Sequence, residues 1–192
     1  EVLPSMFAHV TQEMLEAGYQ WIGIDNFAKP DDPLALAHDR QENGRNFGGY
    51  STGVADNIIG VGPSSTQIFG SYYFQSVNGL KEYFSDVSAG KFPISRGYTL
   101  SVDDMIRRKC IFDLQCNLEL VYADIEAEFD IDFSVYFFAE LKKLEFLESK
   151  SFVCIMEDRL KVTFNGRYYV KNICKIFDIY FKGPETYQIH GP

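Results

Sequence analysis

Apolar residues recur at helical spacing over residues 5–17, where Met6, Phe7, Val10, Met14 and Leu15 fall on one face. Ser5 is placed to cap that run and Gly18 to stop it. The next stretch, Tyr19–Ile24, is short and mostly apolar and reads as a buried strand ending at Asp25. Helix, glycine and strand make half of an α/β repeat, and the C-terminal ends of strands are where α/β barrels place their chemistry. Residues 29–39 read as a turn into a short helix with Asp31 and Asp32 at its positive end. Two glycine-punctuated runs follow, Arg45–Thr52 and Asn57–Ser65, expected to form strands around bends, and then a helix near 77–88.

Residues 89–100 have no clear period and read as a linker-like crossing, which places the expected domain boundary there, between 1–90 and 91–192. Beyond it, Ser101 stands as an N-cap, Asp103 and Asp104 fill a first turn, and Met105, Ile106 and Ile111 form an apolar face. Further helices are predicted over 121–129 and 134–149. A hairpin is predicted from Phe152–Glu157 and Leu160–Phe164, and a long amphipathic helix over 166–181. The expected class is α+β: half of an α/β repeat and strands around bends, followed by a mainly helical, winged-helix-like domain. Such domains often bind DNA, and Arg167, Lys171 and Lys175 repeat every four residues with Tyr169, Val170, Ile173, Phe177 and Tyr180 on the opposite side. The reading preferred here is an ordinary solvated face.

Charge supports that preference. The formal net charge is −9, which argues against binding nucleic acid or an anionic membrane. Residues 1–129 hold 9 Lys/Arg and 18 Asp/Glu, whereas 130–192 hold 9 of each, so the acidity lies wholly in the first part. With 192 residues, 46% of them hydrophobic, the chain can bury one good core or two small ones. No apolar run approaches the roughly 18 residues of a membrane span, and no basic-then-apolar leader opens the chain, so a cytoplasmic location is expected. The first residue is Glu1 rather than Met, and the opening reads as the middle of a longer chain. Cys110, Cys116, Cys154 and Cys174 lack any C-x2-C spacing and sit in apolar contexts, so they are expected to pack as small hydrophobes and to hold no metal.

The runs "GIDNFAKPDDPLA", "RNFGGYST", "IIGVGPSS", "DDMIRR", "IDFSVYFFAEL" and "GRYYVKNICKIFDIYF" occur in the order and spacing of one family. From about residue 11 to residue 182 the chain resembles the C-terminal part of the oxygen-independent coproporphyrinogen III oxidases, which are radical S-adenosylmethionine (SAM) enzymes. The resemblance implies a full-length protein of haem biosynthesis with an N-terminal (β/α) barrel that holds a [4Fe–4S] cluster on three cysteines and binds SAM; residues 1–90 would be the last α/β unit and extension of that partial barrel. That protein would turn two propionates of coproporphyrinogen III into vinyls, giving protoporphyrinogen IX, as a monomer served by an electron donor such as flavodoxin or ferredoxin. The family's C-x3-C-x2-C motif is not among these 192 residues, and none of the four cysteines replaces it by spacing, so the segment alone is expected to be inactive.

Four ligand-facing or polar positions depart from the family pattern. The Gln of R-N-F-Q-G-Y, which lines a second SAM pocket, is Gly48. The Ile of G-x-G-x-S-A-I, which touches the same SAM, is Thr66. Asn26 replaces the His of D-H-F-A, and Ser76 replaces the Asn of Y-x-Q-N. Losing a Gln amide removes several hydrogen-bonding sites. These changes fit either a working enzyme or a relative with an altered substrate, including a haem- or porphyrin-binding protein. Because the family carries Gln at position 48, a positive φ is expected at Gly49 and not at Gly48. The substrate's four carboxylates call for specific cations. Arg45, Arg96, Arg107 and Arg108 lie nearest the matched motifs; Arg45 is the first choice, and ion pairing explains Arg107 and Arg108 equally well.

Overall fold

The computed structural model describes residues 2–182. The chain divides into two compact units, one made up to Gly53 and again from Arg107 onward, the other spanning Val54–Ile106. The boundary expected from sequence, 89–100, lies within the second of these.

In the first unit α1 (Val2–Glu16) ends where Gly18, at φ +79°, donates its N–H to the Leu15 carbonyl at 3.0 Å. Strand β1 (Gln20–Gly23) follows as predicted, but it pairs antiparallel with β2 (Asn26–Ala28), Trp21 opposite Phe27. Helix α2 (Pro33–Asp39) starts at Asp32, whose carboxylate accepts from the Leu34 N–H at 2.8 Å, with Pro33 at its first position. Ile22, Ala28 and Ala35 pack together under Leu34 and Tyr50. A tight hairpin, β3 (Gly44–Asn46) and β4 (Gly49–Ser51), completes this part.

The second unit is a four-stranded antiparallel meander of β5 (Asn57–Ile58), β6 (Thr66–Phe69), β7 (Tyr72–Ser76) and β8 (Ile94–Thr99), with α3 (Leu80–Ser88) between the last two. The segment expected to be a linker therefore contains a strand. All six residues of β8 are exposed, so no inside–outside alternation marked it in the sequence.

Helix α4 (Val102–Cys116) begins in the second unit and ends in the first. Its start is a reciprocal cap: Asp104 N–H donates to Ser101 Oγ at 3.1 Å, while Ser101 N–H donates to Asp104 Oδ2 at 2.8 Å. Strand β9 (Glu119–Val121) leads into α5 (Tyr122–Phe129), α6 (Phe133–Tyr136), α7 (Phe138–Ser149), β10 (Val153–Ile155) and β11 (Arg159–Val162). The predicted hairpin is present and gains β9 as a third strand, in the order β10-β11-β9. Phe133, Phe137, Leu144, Leu147, Leu160 and Phe177 are almost wholly enclosed, and the rings run Tyr122–Phe133–Phe137–Phe177 at 4.2, 4.8 and 5.3 Å between centroids. The fold is α+β, as expected; the sheets are antiparallel and close no barrel among the described residues.

The long helix expected over 166–181 does not form. A 3₁₀ turn (Asn165–Tyr169) runs into the five-residue α8 (Val170–Cys174), and i→i+3 bonds from Ile176, Phe177 and Asp178 tighten the chain afterwards. Gly166 lies so close to the Phe152 carbonyl that a Cβ there would overlap it, and Val170, Ile173, Cys174, Ile176 and Phe177 are all buried. No described helix is long and apolar enough to cross a membrane. Because the obstacle at Gly166 is backbone, Gly166→Ala is expected to lower stability by about 3 kcal/mol, the upper end of the usual overpacking cost; a urea titration with unchanged m-value checks it.

Candidate functional site

The β3–β4 hairpin carries two of the residues singled out from sequence. Arg45 pairs across it with Tyr50, and Asn46 with Gly49, leaving Phe47 and Gly48 as the turn. Asn46 Oδ1 accepts the Gly48 N–H at 2.8 Å. Gly49 has φ +112° whereas Gly48 does not adopt a positive φ, as the family's Gln implied. A Cβ built on Gly48 would meet only Asn46 Oδ1, at 3.3 Å.

Helix α4 fixes the hairpin from behind. Arg45 Nη1 donates to Gln115 Oε1 at 3.2 Å, and Tyr50 OH donates to the Gln115 carbonyl at 2.7 Å. The Arg45 guanidinium lies 5.5 Å from the Tyr50 ring centre. Tyr50 reaches α4 past Gly23, where a Cβ would overlap its hydroxyl. Burial pushes the Tyr50 phenol above its ordinary value, so it is a neutral donor at neutral pH. Arg45 has no carboxylate partner among the described residues, and its Nε is enclosed without a hydrogen bond.

Arg167 makes the other tie. Its Nη2 donates to the Trp21 carbonyl and its guanidinium sits 4.3 Å from the Trp21 ring centre. Trp21 in turn donates from Nε1 to the Ile24 carbonyl at 3.0 Å, and Phe7, Phe27, Phe164 and Tyr168 surround its ring. The basic stripe read from sequence is thus no single solvated face: Arg167 is half-buried, Lys175 lies over Phe181 at 4.5 Å, and only Lys171 is exposed.

The cysteines also differ in part from expectation. Cys110, Cys116 and Cys174 are buried, and Cys154 is exposed. Burial pushes the Cys116 and Cys174 thiols up to about 12 and Cys110 higher still, so all three stay protonated. Among the described residues no group of three or more His, Cys, Asp or Glu side chains could hold a metal ion. These residues do not fit an iron–sulfur cluster.

In the second unit Thr66 lies on β6 opposite Gln75, and Gly60 has no room for a Cβ because the Thr66 carbonyl would stand 2.7 Å from it. Ser76 is 2% exposed and shares a hydrogen bond with Ser65, Oγ to Oγ, at 2.9 Å. Gln75 Oε1 accepts from Arg96 Nε at 2.7 Å. Back in the first unit, Asn26 Nδ2 donates to Asp25 Oδ1 at 2.9 Å, and Arg107 pairs with Glu140 at 2.9 Å while also donating to the Phe177 carbonyl. Arg96 and Arg107 are therefore engaged by the chain itself. Gln115, Tyr50 and the Arg167–Trp21 contact escaped the sequence reading, since their partners lie 65 to 146 positions away.

Comparison with known proteins finds relatives over most of this chain, in sequence and in fold. The chain is 38% identical over 181 residues to the oxygen-independent coproporphyrinogen III oxidase of Synechocystis, matching 92% of itself and 39% of that protein. It is 39% identical over 182 residues to the Escherichia coli protein of the same name, matching 95% of itself and again 39% of the relative. The solved E. coli coproporphyrinogen III oxidase, described as a radical SAM enzyme, superposes with a TM-score of 0.86 over 91% of this chain and 40% of its own, at 38% identity. No protein-family model matches the chain. The chain is similar to part of the oxygen-independent coproporphyrinogen III oxidases and spans about two fifths of the length of these relatives.

The two adjacent hairpin glycines differ in what they tolerate. Gly49→Ala is expected to cost about 1–2 kcal/mol for forcing an L side chain to positive φ, whereas Gly48→Ala should be neutral within about 0.5 kcal/mol. Paired urea denaturations check the contrast.

Proposed function

We propose that the protein carrying this chain is an oxygen-independent coproporphyrinogen III oxidase, converting two propionates of coproporphyrinogen III to vinyls. The similarity to the E. coli enzyme in both sequence and fold over nine-tenths of the chain carries this reading. In it, residues 1–90 continue the barrel and 91–192 form the helical, winged-helix-like domain. The [4Fe–4S] cluster and SAM supply the one-electron chemistry when bound, and the cluster's ligands lie outside these 192 residues. This chain's share is to shape and dry the site. Arg45, a half-buried cation with no carboxylate partner among the described residues, is positioned by Gln115 and Tyr50 to meet a substrate carboxylate. Gly48 stands at a position that the resemblance assigns to a second SAM pocket. A flavodoxin- or ferredoxin-like donor, a cytoplasmic location and a monomeric state belong to the same reading.

The test is an anaerobic assay of the full-length protein with coproporphyrinogen III, with protoporphyrin and 5′-deoxyadenosine as the readouts. Turnover is expected. Tight haem binding without turnover would favour the second reading, a haem- or porphyrin-binding relative, which the departures at Asn26, Gly48, Thr66 and Ser76 motivate.

The turn geometry gives a sharper test of Gly48. Its conformation suits any residue and only Asn46 Oδ1 must yield, so Gly48→Gln should fold normally. One amide hydrogen bond is worth about 0.5–1.5 kcal/mol, so SAM should bind the full-length variant roughly two- to tenfold more tightly. Unchanged SAM affinity and stoichiometry would mean the pocket serves another ligand.

A further inference from the structure

The two-residue loop between β1 and β2 is built on an unfavourable conformation. Gly23 pairs with Asn26, so Ile24 and Asp25 form the turn. Turns of this length need a positive φ at their first central residue, where glycine is the usual occupant. Here a β-branched side chain takes that place: Ile24 has φ +49°, a conformation such residues rarely adopt. Burial holds it there, at 7% exposure, together with the Trp21 Nε1–H, which donates to the Ile24 carbonyl at 3.0 Å. Backbone strain kept up by its surroundings gathers at segments that meet ligands.

The residue this turn presents is Asp25. It is exposed, and Asn26 Nδ2 donates to its Oδ1 at 2.9 Å, while its Oδ2 has no hydrogen bond or ion pair among the described residues. The turn adjoins the hairpin that carries Arg45. A Cβ on Gly23 would overlap the Tyr50 hydroxyl and stand 3.1 Å from the Gln115 carbonyl, and Gln115 and Tyr50 are the residues that hold this hairpin. Asp25 follows Gly23 by two residues, which keeps its backbone within about 7 Å of that crossing. An anion and a cation, neither paired with an opposite charge among the described residues, therefore stand on neighbouring loops of one unit.

A porphyrinogen offers carboxylates at its rim and pyrrole N–H donors at its centre. Arg45 suits the rim. A carboxylate, which can only accept, suits the centre and would repel the rim. We propose that Asp25 Oδ2 accepts the central N–H groups of a tetrapyrrole whose rim carboxylate meets Arg45, and that Asn26 is the positioning residue for Asp25. This rests on the porphyrinogen reading given above and adds which part of that molecule the loop recognises. It also gives the departure at position 26 a physical meaning. The family's His and this chain's Asn both carry a side-chain N–H able to hold Asp25, so the exchange preserves the contact.

Anaerobic equilibrium binding to the full-length protein tests the proposal with two probes. Coproporphyrinogen III carries the N–H groups; copper(II) coproporphyrin III carries the same carboxylates but no N–H, around a square-planar metal. Asp25→Asn should weaken binding of coproporphyrinogen III roughly 10- to 100-fold, the worth of a hydrogen bond to a charged group, and that of the copper compound less than about twofold. Arg45→Gln should weaken both. Asn26→His should bind both probes as the unaltered protein does, while Asn26→Leu should lose affinity for coproporphyrinogen III alone. Asp25→Ala repeats the comparison if Asp25→Asn fails to fold. Equal losses for the two probes in the Asp25 variant, or no loss for coproporphyrinogen III, would overturn the role of Asp25. If the unaltered protein binds neither probe, the porphyrinogen reading itself falls and takes this inference with it.

Discussion

A guanidinium laid on a tryptophan ring ties the two ends of the first unit together. Arg167 and Trp21 are 146 residues apart, and one side chain satisfies the Trp21 carbonyl while covering its ring. The cation is costly to enclose, and burial lowers the affinity of Arg167 for its proton. What offsets that cost is geometric. The carbonyl accepts from the guanidinium, and the aromatic shell of Phe7, Phe27, Phe164 and Tyr168 holds the indole in place. Gly166 and Arg167 share the 3₁₀ turn that leads into α8, and Val170, Ile173 and Phe177 are buried just after it.

A second constraint is the use of bare glycine backbone where a side chain must pass. Tyr50 reaches Gln115 only because Gly23 carries no Cβ, and Gly166 lies against the Phe152 carbonyl. Through Tyr50 and Arg45, one residue of α4 sets the position of the whole β3–β4 hairpin. The hairpin's turn, in contrast, leaves Gly48 outside the positive-φ region, with only Asn46 Oδ1 near the place of a Cβ. The site proposed for ligand contact is thus held rigidly at its base and left open in composition at its tip.

Most local signals were legible in the sequence, although Ser5, expected to cap the first helix, lies inside α1. Gly18 ends α1, Asp32 caps α2, Ser101 and Asp104 cap α4, and the β10–β11 hairpin falls where its β-branched runs predicted. Signals that depend on burial were misread in both directions. Strand β8 is exposed at every position and so shows no period, while 166–181 shows a helical period but forms a 3₁₀ turn and a five-residue helix. Of the site, the hairpin and its departures from the family pattern were visible, because motif spacing survives in one dimension. Gln115 was not, since nothing local marks a residue whose value lies in being 70 positions from Arg45.

The unequal burial of the four thiols has a use in the laboratory. Cys154 stands exposed on β10, while Cys110, Cys116 and Cys174 are sealed and held protonated. An alkylating reagent therefore meets one fast thiol and three that react only when the interior opens. A spectroscopic label can be attached at a single point on the small sheet without altering the sequence. The slow alkylation of the other three then times the opening of the helical core around α4 and α8.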